Sequence, residues 1–529
     1  MRLAIGLFAL SAAAIVAAWS WLGQPVEMPQ APLARGEKLY CVSYAPFRGQ
    51  QSPLDTSTLI EPWQIDEDLA RLAGLTDCVR TYSTDYGIEL VPEIAQRHGM
   101  KVIQGLWLSS DPNKNRTQIE SAIALANKYP TVIRAVIVGN EVLLRGEMAA
   151  GDLGNIMREV KSRVRVPVTY ADVWEFWLRN PQLQESADFI TIHILPYWED
   201  FPIPARNAGA HVESIRRRVA AAFPNKEIII GEVGWPSEGR MREGALPSPA
   251  NQARVVQDVL SFAKRENTRV NLIEAFDQPW KRWLEGTVGG HWGFLDARTR
   301  QFKFAWGEAV SNHPLWRWQA AGGVVFAALV FGAAWAARGR DTQSRAWLGV
   351  AVIGSAGGTL IGWTIENTAV EGLGVGGWMR SAILAGLALC APPVVAAALT
   401  AGLQVPHFSI ILNRNRPDNR LVLALGVIFI VLAAMAIQIA LGLAFDPRYR
   451  DFPFAPLTAA VLPFFIHSLL TPRASGHRGA AEVASAGLLA IAAVYIVFNE
   501  SIANWQSLWL CAAIAAFAFT LARVRGAQG

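Results

Sequence analysis

The sequence predicts an α/β TIM (β/α)8 barrel joined to an α-helical multi-span membrane domain. Three observations predict it. Residues 38–276 hold eight short β-prone runs with helical stretches between them; the chain beyond Pro314 is apolar in segments of bilayer length; and several of the eight runs end in carboxylate, histidine or tryptophan side chains. Strand–helix alternation repeated eight times is the pattern of a closed parallel barrel. An open doubly wound sheet is the alternative, but no Gly-rich turn follows the first run.

The bulk composition fits this division. The chain has 529 residues, of which 52% are hydrophobic and 17% charged. The apolar excess lies mostly after residue 314, whereas 36–314 has an ordinary globular composition. The net charge of +5 is small, and its arginines gather in short loops, which points to membrane topology rather than to nucleic acid. No zinc spacing, P-loop or nucleotide fingerprint occurs. No metal, organic cofactor or nucleic-acid partner is therefore expected.

Residues 1–23 form a membrane anchor or signal: the apolar run 3–22 follows Arg2 and is long enough to cross a bilayer. The flank GQPVEMPQAPLARGEK offers no clear small-residue cleavage site, so an uncleaved anchor is favoured. Residues 24–35 read as a Pro-rich linker and 36–314 as the barrel. Residues 315–529 carry about seven transmembrane segments, at 318–337, 346–364, 381–403, 421–444, 455–471, 483–498 and 505–522. Basic loops (Arg338, Arg340, Arg345; Arg414, Arg416, Arg420; Arg473, Arg478; Arg523, Arg525) alternate with loops holding Glu366, Glu371, Asp446, Asp451 and Glu500. The positive-inside rule then puts the barrel outside the cytoplasm and the C-terminus inside it. Three outward helix ends, WTIENTAVEG, AFDPRYRDFP and VFNESIANWQ, each carry an acid. Helix-end polarity explains them; a surface guiding a polysaccharide is the sharper alternative.

In order, the β-prone runs are 38–45, 77–83, 101–108, 131–140, 166–171, 188–195, 226–233 and 269–276. Cys41 and Cys78 sit near the starts of the first two. Export would permit a disulfide, but adjacent parallel strands give poor geometry, so free thiols are favoured. Cys390 and Cys511 fall in apolar runs and read as buried small hydrophobes.

Barrel chemistry sits at the C-terminal ends of strands. The second run ends in Arg80-Thr81-Tyr82, the fourth in VGNE (138–141), the sixth in His193 before Pro196-Tyr197, the seventh in GEVGWPS (231–237), and the eighth in EAFDQ (274–278). Strands four and seven face each other across a barrel mouth, which brings Glu141 and Glu232 together. Glycoside hydrolysis needs such a pair, one acid with a raised pKa and one ionised nucleophile. A barrel-mouth salt bridge is the bland alternative for either glutamate alone, and much weaker for the two motifs together. Asn140 is placed to hold a sugar hydroxyl. Trp107, Trp174, Trp177, Tyr197, Trp198, Trp235, Trp280, Trp283 and Trp292 fall at or beyond strand ends, where flat rings cover pyranose faces; core packing accounts for about half of such aromatics.

These motifs, with SYAPF (43–47) and EAFDQPWK (274–281), resemble glycoside hydrolase family 17, the β-1,3-glucanase and glucanosyltransferase family. The resemblance implies Glu141 as general acid/base and Glu232 as nucleophile. It implies that Asn140, Tyr197, Glu274 and Lys281 line the substrate site. Arg80, Tyr82, Trp107 and Trp235 at strand ends, with Tyr44, complete the expected substrate-binding set. Many relatives carry an acid where this chain has Gln278. The whole architecture is similar to rhizobial-type β-(1→6)-glucan synthases, which implies a periplasmic, inner-membrane role in β-glucan synthesis and a separate synthase as partner. The short cytoplasmic loops leave no room for a nucleotide-sugar domain.

Three functions follow as expectations. The first is transglycosylation of β-1,3-glucan by the retaining pair. The second is endohydrolysis through the same covalent intermediate, with water as acceptor. The third is a non-catalytic glucan-binding or export subunit.

Overall fold

The computed structural model describes residues 2–340, 342–412, 417–472 and 476–525. Arg414, Arg416 and Arg473 of the basic loops lie outside the described residues. The chain divides into two compact units, one of Val26–Glu238 and Gly244–Val310, the other of Met1–Pro25, Gly239–Glu243 and Ser311–Gly529.

The first unit is a closed barrel of eight parallel strands in sequential order. They are β1 Cys41–Ser43, β2 Cys78–Arg80, β3 Lys101–Leu106, β4 Ile133–Asn140, β5 Val168–Val173, β6 Ile190–His193, β7 Ile228–Val233 and β8 Val270–Leu272. Each lies within the β-prone run predicted for it except β5, which begins two residues later and ends two later. β1 pairs with β8, closing the sheet. Near-continuous Val/Ile runs build these strands because both faces are buried, one by the barrel interior and one by helices. A fully buried Val or Ile contributes roughly 1.5–3 kcal/mol, and Val42, Val79, Val136, Ile190, Ile192 and Ile230 are completely buried.

The intervening helices start where the sequence supplies caps. Pro112–Lys128 begins with Pro at its first position, and Asp111 accepts from the backbone N–H groups of Asn113 and Lys114 at 2.9 and 3.3 Å. Pro249–Arg265 repeats the device, with Ser248 accepting from Asn251 N–H at 3.1 Å.

Cys41 and Cys78 form a disulfide, which corrects the expectation of free thiols. The register pairs Val42 with Val79, so the two cysteines stand opposite each other with Cα atoms 4.4 Å apart. Both side chains lie in one buried layer with Ile103, Ile137 and Ala171. Parallel neighbours are bridged here because both cysteines turn into the barrel from the same level.

The second unit is helical. Among the described residues, seven of its helices are long and apolar enough to cross a membrane: Arg2–Leu22, Trp316–Ala337, Ser344–Glu371, Gly374–Ala401, Arg420–Phe445, Ala480–Glu500 and Trp505–Arg523. Phe454–Leu470, predicted as a span, is apolar but shorter, at 17 residues. Arg2–Leu22 packs into this unit with Ile15 and Trp19 fully buried, and Ser11 Oγ donates to Ala351 O at 3.2 Å. Gly323 and Gly358 let two helix backbones meet: a Cβ on Gly323 would stand 2.2 Å from Gly358 O. Close approach at small residues is how helices associate when lipid removes the hydrophobic drive.

Candidate active site

Glu232 lies on the last turn of β7 with 4% exposure. Its Oε1 accepts from Tyr82 Oη at 2.8 Å and from Arg80 Nη1 at 3.1 Å. The tyrosine is itself aligned by a chain. Asn271 Nδ2 donates to Ser43 Oγ at 2.8 Å, and Ser43 Oγ lies 2.7 Å from Tyr82 Oη. Ser43 has one hydrogen to give, so it goes to Tyr82, whose own hydrogen then goes to the carboxylate. Such a one-way chain delivers its last hydrogen to Glu232 Oε1.

Glu141 follows β4 directly. Gly139 and Glu141 both have positive φ, +83° and +52°, a region few non-glycine residues enter. The turn is fixed by Glu141 N–H donating to Ala171 O at 2.8 Å and Arg145 N–H donating to Glu141 O at 2.9 Å. Its Oε1 is 2.9 Å from His193 Nδ1. Burial pushes the carboxyl up, but the His193 hydrogen bond and the neighbouring charges of His193, Arg145 and Arg80 outweigh it, leaving it below its ordinary value. The raised acid expected from the sequence is therefore not what the free site presents.

His193, at the end of β6, joins the two glutamates: its Nε2 is 3.6 Å from Glu232 Oε1. One donor atom from each of Glu141, His193 and Glu232 lies within 4.8 Å of the other two. This triad has the donor types of a metal site. However, Arg80 Nη1 already stands 3.1 Å from Glu232 Oε1 and 3.3 Å from His193 Nε2, so a metal ion would face a fixed guanidinium.

Arg80 organises the floor. Besides Glu232 and His193, it donates to Gly231 O at 2.7 Å and to Asn140 Oδ1. A Cβ on Gly231 would stand 2.4 Å from Thr191 Cγ2 and 3.3–3.4 Å from His193 and Arg80. The glycine before Glu232 thus makes room for the His193 and Arg80 side chains beside it. With Asn140 Oδ1 committed to Arg80, its amide N–H groups remain for a ligand hydroxyl.

Glu274 and Lys281 form an ion pair, Nζ lying 2.9 Å from both carboxylate oxygens. Burial drives Glu274 up to about 7 against the pull of Lys281. Trp107 is 37% exposed at the end of β3, and the Arg145 guanidinium lies 4.3 Å from its ring centre. One face is backed by a cation and the other is left for a ligand.

Tyr44 is buried, its hydroxyl donating to Asp68 Oδ2 at 3.1 Å, so it is spent on a core cluster and not on the carboxylate pair. Tyr197 and Trp235 are fully buried and join Trp292 in an edge-to-face cluster with ring centres 6.0–6.2 Å apart. Trp174 and Trp177 are also buried, whereas Trp283 is 65% exposed. Gln278 brackets the loop by donating to Ala45 O at 2.9 Å and accepting from Trp280 Nε1 at 2.8 Å.

The sequence reading missed Asp172 and Tyr170 on β5. Tyr170 Oη donates to Asp172 Oδ2 and accepts from Leu143 N–H at 3.0 Å, while Leu144 N–H reaches Asp172 Oδ2 at 3.4 Å. Together they grip the turn that carries Glu141. Burial, with the charge of Glu141, pushes Asp172 up to about 6 against the Tyr170 bond and His193.

The BtgE/BtgC glycoside hydrolase domain family matches residues 41–293. A protein of Aspergillus fumigatus named a probable glucan endo-1,3-beta-glucosidase is 28% identical over 291 residues, covering 48% of this chain and 41% of its own length. A probable family 17 glucosidase of Saccharomyces cerevisiae is 27% identical, covering 48% of this chain and 64% of its own length. The chain thus spans less than two thirds of either relative. A crystal structure of a glycoside hydrolase family 17 beta-1,3-glucanosyltransferase from Rhizomucor miehei aligns with a TM-score of 0.45 and 26% identity, over 50% of this chain and 95% of that one. Residues 41–293, the span holding Glu141, His193 and Glu232, are a glycoside hydrolase domain of the BtgE/BtgC family.

Proposed function

We propose that this chain is a retaining β-glucan transglycosylase that acts on β-1,3-glucan outside the cytoplasm, in the synthesis or remodelling of β-(1,3)/(1,6)-glucan. The observation that carries the chemistry is the approach of Glu141 and Glu232 oxygens to within 4.8 Å. Retaining enzymes hold their carboxyl groups roughly 5–5.5 Å apart, inverting ones roughly 6.5–9.5 Å to admit a water. Glu232, held by Arg80 and Tyr82, attacks the anomeric carbon as Glu141 protonates the departing oxygen. Glu141 then removes a proton from the incoming glucan hydroxyl, which displaces Glu232.

The extracytoplasmic setting rests on the charge pattern of the helical unit and on the Cys41–Cys78 disulfide, which suits an oxidising compartment. The bilayer then keeps the barrel near newly exported glucan, with a separate synthase as the source of new chain. Hydrolysis is the second reading, favoured by the glucosidase names of the fungal relatives.

Two measurements on the detergent-solubilised full chain test this. Mass spectrometry of products from a β-1,3-oligosaccharide donor is expected to find chains longer than the donor; only shorter ones would leave hydrolysis. Glu232→Ala is expected to lose on the order of 10³-fold or more in kcat and to regain cleavage of an aryl β-glucoside in azide, giving the α-glycosyl azide. Absence of that product refutes Glu232 as nucleophile.

A further inference from the structure

We propose that His193 is a positioning residue for the acid/base, holding one carboxylate oxygen of Glu141 through Nδ1–H so that the other oxygen exchanges the proton with the glucan. The inference rests on the retaining reading of the Glu141–Glu232 pair and assigns a role to a side chain which that reading does not use.

The direction of the bond follows from its partners. A carboxylate has no hydrogen to give, so the hydrogen of the 2.9 Å contact sits on His193 Nδ1 and is donated to Glu141 Oε1. Arg80 Nη1 lies 3.3 Å from the other ring nitrogen, Nε2. The imidazole is completely buried on β6, so it has no solvent route to another orientation. Arg80 reaches the nucleophile and the histidine with one nitrogen. The orientation of the acid is thereby tied to the group that holds the nucleophile.

The bond also sets acid strength. It exists whether Glu141 is ionised or protonated on Oε2, but it is stronger to the anion. Losing it makes Glu141 a weaker acid and frees its carboxyl to rotate. Five other charged groups face Glu141: Arg80 on β2, Arg145 after β4, Asp172 on β5, Glu232 on β7 and Glu285 in Arg282–Glu285 after β8. The arginines favour the anion and the acids oppose it. Among these groups only His193 donates a side-chain hydrogen bond to Glu141.

Two near-isosteric variants of the full chain separate positioning from packing. In His193→Asn the amide nitrogen falls close to the place of Nδ1 and can donate to Glu141. In His193→Gln it falls close to the place of Nε2, against Arg80, and cannot. Both variants are assayed for kcat/KM against pH with a β-1,3-glucan oligosaccharide, whose leaving group needs a proton, and with a dinitrophenyl β-glucoside, whose leaving group does not. H193N is expected to stay within about 5-fold of wild type on glucan with its basic limb unmoved. H193Q is expected to lose roughly 100-fold on glucan, to move its basic limb upward by about one pH unit, and to keep the dinitrophenyl rate within about 3-fold. Equal losses in both variants, equal losses on both donors, or an unmoved limb in H193Q overturn the assignment. Glu141→Gln on the same two donors is the control for the underlying reading: a normal glucan rate there would remove Glu141 as the acid, a failure distinct from that of His193.

Discussion

Asp172→Asn isolates one titration beneath the active site. Asp172 is completely buried, and its folded-state pKa is raised from 3.8 to about 6, chiefly by burial. Between those values the native state holds a proton that the unfolded chain has released. Stability contributed by the protonated form is complete below pH 3.8, falls as pH rises, and is gone above about 6. The gap is worth roughly 3 kcal/mol at ~1.36 kcal/mol per tenfold in proton affinity. An asparagine carries no such dependence. It also mishandles the local bonds, because one oxygen now has to serve where two accepted from Tyr170, Leu144 and Val173. D172N is therefore less stable than wild type at pH 4, and the deficit shrinks as pH rises. At ~2–4 °C per kcal/mol, the difference in melting temperature between the two proteins should change by roughly 6–12 °C from pH 4 to pH 7. Tryptophan-fluorescence melting of both proteins side by side measures it, and titrations common to both, such as those of Glu274 and Asp277, cancel. A difference that stays flat across that range would mean Asp172 is ionised throughout, and burial would not be the dominant influence on it.

Lys281→Met leaves Glu274 buried without its cation. The acid then remains protonated to higher pH, so the loss of stability is small at pH 5 and grows above pH 7 towards roughly 3–5 kcal/mol; a pH-independent loss would contradict the assignment of Glu274 at about 7. Reducing the disulfide reopens a loop with 37 residues of separation, worth roughly 4 kcal/mol of chain entropy. Reductant, or Cys41→Ser, should lower the barrel's melting temperature on the order of 10 °C, and non-reducing mass spectrometry should find the intact protein two hydrogens lighter than the reduced one.

The eight strands are legible in the sequence because a strand buried on both faces is a solid run of Val and Ile, and such runs stand out between amphipathic helices. Their ends are less legible. The β-prone run 166–171 stops short of Val173, and that displacement hid Asp172 at the end of β5. Glu141, Glu232, Arg80 and Tyr82 could be placed because the C-terminal end of a barrel strand has one destination. Aromatic residues have two: Trp107 turns to solvent, while Tyr197 and Trp235 turn into a buried cluster. Residue type alone does not say which. The disulfide was hidden for a related reason. Strand adjacency is readable from the order of runs, but whether both cysteines turn inward at one level depends on barrel register.

The site assigns its polar partners unevenly, and the unevenness matches the work of each acid. On the proposed mechanism Glu232 attacks the anomeric carbon, and it receives the guanidinium of Arg80 and the end of the Asn271–Ser43–Tyr82 chain. Glu274 sits deeper and receives a lysine across both oxygens, yet burial still holds it near 7. On the same proposed mechanism Glu141 gives up a proton and takes one back in each cycle. A direct ion pair would oppose the second half of that cycle, because a carboxylate bound to a fixed cation is a poor base. Its direct side-chain bond goes to an imidazole instead, and Arg80 and Arg145 act on it only through space. A donor that orients the carboxyl without fixing its charge keeps both protonation states within reach. The three glutamates are thus separated by what holds them, a division that follows from which strand ends carry Arg80, His193 and Lys281.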